Sequence, residues 1–174
     1  TPFISGKDSM FNDFKGFDEQ DRPVKISVPP TLLISSLGLI EDVTNCVTLD
    51  AKVPGDRLYL LGTTRDELAG SEYYALMGEA LRGERFVGKY VPNVEASHNW
   101  RIYQALHQGI LQGRVSAATS LGLGGLATAA SKMALAGDLG MEIDLSAVIA
   151  EPGDLRTDRI LYSESQGRIL VSVS

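Results

Sequence analysis

The chain has 174 residues, of which 44% are hydrophobic and 22% charged, proportions that exclude a disordered, collagen-like or coiled-coil chain. Its net charge of −6, from 16 basic and 22 acidic residues without a basic block, argues against a nucleic-acid partner. No apolar run of about 18 residues is present, so we expect no membrane-spanning helix.

The N-terminal third alternates loops and strands. The first 30 residues are rich in glycine, proline and charge and are predicted to be loop. The run TLLISSLGLI then follows two prolines and predicts a buried strand over residues 31–40. Two more strands are predicted at 46–49 and 57–61, on either side of a Pro-Gly-Asp turn.

Two helices are predicted next. Ser71 is the expected cap of the first, whose apolar positions are Tyr74, Met77 and Leu81. Asn93 is the expected cap of the second, which should end at Gly113. The apolar stripe predicted for that helix comprises Trp100, Tyr103, Leu106 and Ile110.

The C-terminal part continues with strand candidates at 115–118, 141–145 and 169–173. Between the first two, an alanine-rich helix should run from the glycines at 124–125 to Gly137, a predicted left-handed C-cap. Strands and helices alternate without a strict doubly wound rhythm, which favours an α+β fold with a mixed or antiparallel sheet covered by helices.

The histidines and the single cysteine do not indicate a catalytic site. His98 and His107 lie nine residues apart on one predicted helix, so they point to opposed sides and are interpreted as surface histidines. Cys46 is the single cysteine, which excludes an intrachain disulfide and favours a reducing compartment, the cytoplasm. Because it has no histidine or basic neighbour, we expect a buried, inert thiol and not a nucleophile.

Three short segments are candidates for binding. The loop SGKDSM (5–10) can offer backbone N–H groups, an ammonium and a hydroxyl to an anion, although a solvated turn fits the spacing equally. The loop SESQG (163–167) is more polar than a plain turn needs. The glycines at 124–125 are interpreted as letting a helix begin close to a strand, in preference to cradling a phosphate.

Eight motifs in order along the chain resemble the second half of the phosphoribosylformylglycinamidine synthase family, within the wider aminoimidazole ribonucleotide synthetase-like superfamily. They are ISGKDSMFND (4–13), PPTLLIS (29–35), PGD (54–56), LLGTT (60–64), GSEY (70–73), GGL (124–126), MALAG (133–137) and SESQGR (163–168). The resemblance covers nearly the whole chain. The strand-like end and the absence of a starting Met suggest that the chain is a piece of a longer protein.

This resemblance implies an ATP-dependent ligase of purine biosynthesis, with magnesium in the complete protein. Such an enzyme converts formylglycinamide ribonucleotide to its amidine with ammonia that a glutaminase domain or subunit releases from glutamine. Residues 1–52 would be the end of the ATP-binding domain and residues 53–174 the C-terminal α+β domain, a join close to a composition shift at 50–56. The chain would be inactive alone and would need the rest of its own chain.

The resemblance also assigns residues. Gly6, Lys7 and Asp8 would contact ATP, and the Lys7 ammonium would stand where the smaller form of the family has an asparagine metal ligand. Ser9 would contact substrate. So would the triplet matched at the other end of the chain, which consists of Glu164, Ser165 and Gln166.

One departure from the family concerns its His-Asp-x-Ser-Asp-Gly-Gly motif, where this chain reads TSLGLGG (119–125). Ser120 replaces the aspartate that binds magnesium in the larger form, and Gly122 replaces the serine that contacts a second, structural nucleotide. Because a hydroxyl is a poorer ligand for a hard cation than a carboxylate, we expect weak or absent nucleotide binding here. Two alternatives stay open: a non-catalytic scaffold half, or another synthetase of the superfamily.

Overall fold

The computed structural model describes residues 13–27 and 34–174. These residues belong to two compact units, which divide between Glu41 and Asp42. The first unit contains an antiparallel hairpin of strands β1 (Phe14–Phe17) and β2 (Pro23–Ile26). The predicted loop is therefore wrong over these residues. The reason is local, because the Asp18 carboxylate accepts the N–H groups of Gln20 at 2.9 Å and Arg22 at 3.0 Å and closes the turn.

The strand predicted at 31–40 is not formed in its described part. Residues 34–40 have no regular structure, and Leu37 and Leu39 are 80% and 97% exposed, so the apolar run is not buried. Residues 31–33 lie outside the described part of the chain.

The second predicted strand, at 46–49, is also wrong. A short 3₁₀ helix (Val43–Asn45) leads into irregular chain, and Cys46 is exposed, contrary to the expected buried thiol. The segment still joins the second unit, because the carbonyl of Thr48 accepts the N–H of Ala118 at 3.1 Å and the N–H of Ala51 donates to the carbonyl of Met133 at 3.1 Å.

The second unit is built on a three-stranded antiparallel sheet. Strands β3 (Arg57–Leu61), β5 (Val115–Ser120) and β7 (Ile169–Val173) confirm three predicted strands, and β7 lies in the middle, in the order β3-β7-β5. Two-residue strands β4 (Thr64–Arg65) and β6 (Ala150–Glu151) pair parallel beside it.

Four helices complete this unit: α1 (Glu72–Arg82), α2 (Ala96–Leu111), α3 (Gly125–Gly137) and α4 (Thr157–Tyr162). Together with the sheet they confirm the α+β class. The predicted cap of α1 is confirmed, since the Ser71 side chain accepts the N–H of Tyr74. Within the described ranges, no helix is long and apolar enough to cross a membrane.

Helix α2 begins two residues later than predicted, with Glu95 and not Asn93 before its first residue. The side chain of Asn93 accepts the N–H of its neighbour Val94 at 3.0 Å and does not cap a helix. The predicted stripe is only partly buried, because Trp100 and Tyr103 are 61% and 42% exposed, whereas Asn99 is the buried residue of α2.

Two details at the end of α3 also differ from prediction. The left-handed C-cap is Asp138, with φ of 52°, and Gly137 is the last helical residue. A glycine is needed there because a Cβ would lie 2.0 Å from the Ala51 carbonyl oxygen. The strand expected at 141–145 is absent, and its place is taken by irregular chain and a 3₁₀ helix (Leu145–Ala147).

The core lies between α3 and the sheet. Its buried members are Ala117, Leu121, Leu126, Ala129, Ala130, Met133 and Leu170. Burial of these apolar side chains holds α3 across β5 and β7, and so fixes the position of the segment that precedes α3.

Candidate functional site

The polar loop at 163–167 connects α4 to β7 and carries three of the predicted site residues. Its tight turn depends on Gly167, which has φ of +78° and sits against α2, where a Cβ would lie 2.3 Å from the Asn99 carboxamide. The loop is therefore packed on α2 and has a defined path between the core and the surface.

Ser165 faces inward. It is fully buried, and its Oγ accepts the N–H of Arg65 at 2.9 Å and lies 3.4 Å from the carbonyl oxygen of the same residue. These contacts tie the loop to β4. The hydroxyl is thus occupied by backbone groups, whereas the neighbouring Gln166 is exposed and its Nε2 donates to the Glu164 carbonyl at 3.2 Å.

Glu164 reaches across to the beginnings of two helices. Its Oε1 accepts the N–H of Gly124, the residue before α3, at 2.9 Å and the N–H of Glu72, the first residue of α1, at 3.2 Å. Its own N–H donates to the carbonyl of Glu67 at 3.2 Å. A carboxylate is favourable at this place because helix N-termini present unpaired N–H groups and positive dipole ends.

Arg168 supports the loop from beneath. It is 1% exposed, and its guanidinium donates to the carbonyls of Ser163 and Ser165, the latter at 3.2 Å, and to Thr64 Oγ1 at 2.9 Å. Burial lowers the pKa of Arg168 to about 10, and the negative charges of Glu67 and Glu164 act in the opposite direction. Sequence reasoning missed this residue; the signal was a charged side chain at the start of an apolar strand.

Glu67 is the second buried charge of this region. It is 7% exposed, its Oε1 accepts the N–H of Asn93 at 2.9 Å, and its Oε2 is buried without a hydrogen-bond partner in the described structure. The hydroxyl of Ser163 is in the same state. A buried carboxylate and a buried guanidinium thus form a polar layer that holds the surface loop in one conformation.

The segment before α3 is closed on one side. Gly124 and Gly125 both have positive φ, and a Cβ on Gly125 would lie 2.4 Å from the Ser163 carbonyl oxygen and 2.8 Å from that of Leu161. The close packing expected from these glycines is therefore present, although the neighbour is the end of α4 and not a strand.

This segment does not fit a magnesium nucleotide. Ser120, the last residue of β5, is exposed and brings no carboxylate, and the N–H of Gly124 is already bonded to Glu164. Across residues 13–27 and 34–174, no group of three or more His, Cys, Asp or Glu side chains is placed to hold a metal ion. The other predicted nucleotide and substrate residues, Gly6, Lys7, Asp8 and Ser9, lie outside the described residues.

A large cleft lies elsewhere in the second unit. It has a volume of about 980 Å³ and is bounded by β3, the first turn of α3 and the chain from 139 to 149. Its walls include Leu58, Leu60 and Leu126. Of the predicted site residues that the structure describes, Glu164, Ser165 and Gln166, none lines this cleft, so the candidate site remains the loop at 163–167 with the beginnings of α1 and α3.

Comparison with known proteins identifies relatives of this chain. Residues 53–174 match the family model described as AIR synthase related protein, C-terminal domain. The phosphoribosylformylglycinamidine synthase subunit PurL of Methanocaldococcus jannaschii is 34% identical over 174 residues, which are 99% of this chain and 22% of that protein. The chain spans about a fifth of the length of the curated relatives it matches.

Solved structures give the same picture. T. maritima PurL complexed with FGAR superposes with a TM-score of 0.65 and 26% identity, over 76% of this chain and 22% of that one. T. maritima PurL complexed with ATP superposes with a TM-score of 0.55 and 25% identity, over 76% of this chain and 19% of that one.

Proposed function

We propose that this chain, which belongs to the family of AIR synthase related proteins (C-terminal domain), is the C-terminal part of a phosphoribosylformylglycinamidine synthase. The observation that carries the proposal is the match to PurL over 99% of the chain, which extends through the residues before 53 that the family model leaves out. The PurL relatives contain four to five times as many residues as this chain. The proposed activity therefore belongs to the complete protein.

The proposed reaction activates an amide and replaces its oxygen. ATP phosphorylates the amide oxygen of formylglycinamide ribonucleotide, ammonia attacks the amide carbon, and phosphate leaves with that oxygen. The products are the amidine, ADP and phosphate. The named relatives from T. maritima were solved with FGAR and with ATP, which supports these two molecules as substrates here.

Within this chain, the proposed ATP contacts are Gly6, Lys7 and Asp8. The Lys7 ammonium would offset the repulsion between a triphosphate and a protein of net charge −6. A magnesium ion is proposed for the complete protein, where it would neutralise phosphate charge. Among the described residues, no three or more His, Cys, Asp or Glu side chains are grouped to hold this ion.

The resemblance assigns substrate contact to Ser9 and to the triplet Glu164, Ser165 and Gln166. Gln166 is the exposed member and is the one proposed to touch substrate directly, while Ser165 holds the loop on β4. We further propose that residues 1–52 complete an ATP-binding domain and residues 53–174 form the C-terminal domain. The partners proposed are the rest of the chain and a glutaminase, in the cytoplasm.

Complementation tests the proposal in cells. The complete gene should restore growth without purines to a strain that lacks its own synthase. The same gene cut before Thr1, and the chain expressed alone, should both fail, because positioning ATP against the amide needs groups from both parts. Growth supported by either part alone would contradict the proposal.

A further inference from the structure

The lost nucleotide motif and the conformation of Glu164 are connected by one hydrogen bond. Gly124 is the residue before α3 and belongs to the segment in which Ser120 and Gly122 depart from the family motif. Its N–H donates to Glu164 Oε1 at 2.9 Å. The same oxygen accepts the N–H of Glu72 at 3.2 Å. A negative oxygen from the chain itself therefore occupies the position that an external anion would take between two helices.

The path of the loop makes this contact a built feature. Arg168 donates to the carbonyls on both sides of Glu164, those of Ser163 and Ser165, and is almost fully buried. The backbone N–H of Glu164 is also bonded, to the Glu67 carbonyl. Three hydrogen bonds thus fix the backbone from which the carboxylate projects, and little conformational entropy remains to be lost when it caps the helices.

Packing around Gly125 also restricts the access of a phosphate to this segment. The carbonyls of Leu161 and Ser163 press against Gly125, so the first residue of α3 is covered by the end of α4. An approaching phosphate would have to displace the Glu164 carboxylate to reach the Gly124 N–H. It would meet no metal-binding carboxylate at Ser120 to offset its charge.

We propose that Glu164 is an intramolecular anion: it caps α1 and α3 with one carboxylate oxygen and closes this segment to nucleotide phosphate. This assigns Glu164 a positioning role in place of the substrate contact that the resemblance implies. It deepens the proposed function, since only that function makes the segment before α3 a degenerate nucleotide site. The hydrogen bonds themselves do not depend on it.

Hydrogen exchange in the complete protein tests the capping role without substrate. Glu164→Ala should speed exchange about tenfold in peptides that cover the starts of α1 and α3, because each loses a hydrogen bond to a charged acceptor. Glu164→Gln should lose less, since its amide oxygen can still accept. Added formate should restore protection in Glu164→Ala more than chloride at equal ionic strength.

The matched control is Glu79→Ala, which removes an exposed carboxylate from α1 and should leave both peptides unchanged. Unchanged protection in Glu164→Ala, or a loss that formate restores no better than chloride, would overturn the proposal. So would weaker binding of formylglycinamide ribonucleotide to Glu164→Ala with its exchange unaltered, which would assign the carboxylate to substrate. A protein without synthase activity could still pass this test, so the two proposals fail separately.

Nucleotide stoichiometry tests the closure. Calorimetry of the complete protein with magnesium ATP should give the same number of sites for the wild type and for Ser120→Asp with Gly122→Ser, because Glu164 still holds the Gly124 N–H. Adding Glu164→Ala to that pair should create one further site. An extra site in the wild type or in the double variant would show that Glu164 does not close the segment, and none in the triple variant would show that its removal opens nothing.

Discussion

Single glycines set how closely the backbones approach around the candidate site. Gly125 has φ of +61° and lies under two carbonyl oxygens, and Gly167 has φ of +78° against the Asn99 side chain. Gly122, two residues before the start of the α3 cap, has open space around it. Sequence alone anticipated tight packing at 124–125 but not its neighbour, because the short helix α4 that supplies it has too few residues to show a period.

Substitution of Gly125 and of Gly122 should distinguish a tightly packed glycine from one with open space around it. Gly125→Ala should destabilise the second unit by about 3 kcal/mol, because a left-handed conformation costs about 1–2 kcal/mol with a Cβ and the Ser163 carbonyl must also move. Gly122→Ala should change stability by less than about 0.5 kcal/mol. Urea unfolding of the chain measures both, and equal effects would contradict the packing at Gly125.

Elements with a strong period or a side-chain cap were predictable, and elements held by tertiary contacts were not. Helices α1 and α3 and strands β3, β5 and β7 follow from periodicity and from the Ser71 cap. The two-residue strands β4 and β6 carry too little sequence for any pattern. The alternating segment at 141–145 reads as a strand, yet it borders the cleft beside β3 without pairing in the sheet.

Helices α1 and α4 are linked by a polar and aromatic contact. The Asp158 carboxylate accepts hydrogen bonds from the Arg156 guanidinium at 2.6 and 3.0 Å and from the Tyr73 hydroxyl at 3.2 Å. The Tyr73 ring also stacks on Tyr162, with 4.6 Å between centroids. Hydrogen bonding from Arg156 lowers the pKa of Asp158, and burial raises the pKa of Tyr73.

This contact should make stability depend on pH. Because the pKa of Asp158 is lower in the folded state, its contribution is present above its unfolded pKa of about 3.9 and is lost as pH falls through the folded value. Asp158→Asn should therefore cost up to about 1 kcal/mol at pH 6 and nothing at the acid end, since Arg156 is largely exposed. Unfolding free energies of both proteins from pH 2 to 6 test this; a constant difference would contradict it.

At the scale of the molecule, the α+β class and the site loop were predictable, whereas the contacts of the site were not. The resemblance gave Glu164, Ser165 and Gln166 one role, but Ser165 is turned to β4 and Glu164 to two helices, because buried Arg168 dictates the loop. Such a dependence on one buried charge, distant from β4 in sequence, leaves no periodic pattern. The join proposed near residue 52 remains a prediction.

Truncation examines how the chain before 53 serves the second unit. A protein of residues 42–174 should be about 2 kcal/mol more stable than one of residues 53–174. The shorter chain loses the hydrogen bonds of Thr48 to Ala118 and of Ala51 to Met133, together with the packing of Ala51 on the core. Thermal unfolding of the two proteins decides it, and equal stability would show that these contacts contribute nothing.

The most direct test of the central claim is product formation by the purified complete protein. Supplied with ATP, magnesium, ammonia and formylglycinamide ribonucleotide, it should release ADP and phosphate in equal amounts with the amidine, detected by mass spectrometry. Removal of residues 1–174 from that protein should abolish the product. Amidine formation at an undiminished rate without these residues, or no amidine from the complete protein with all four components present, would contradict the account.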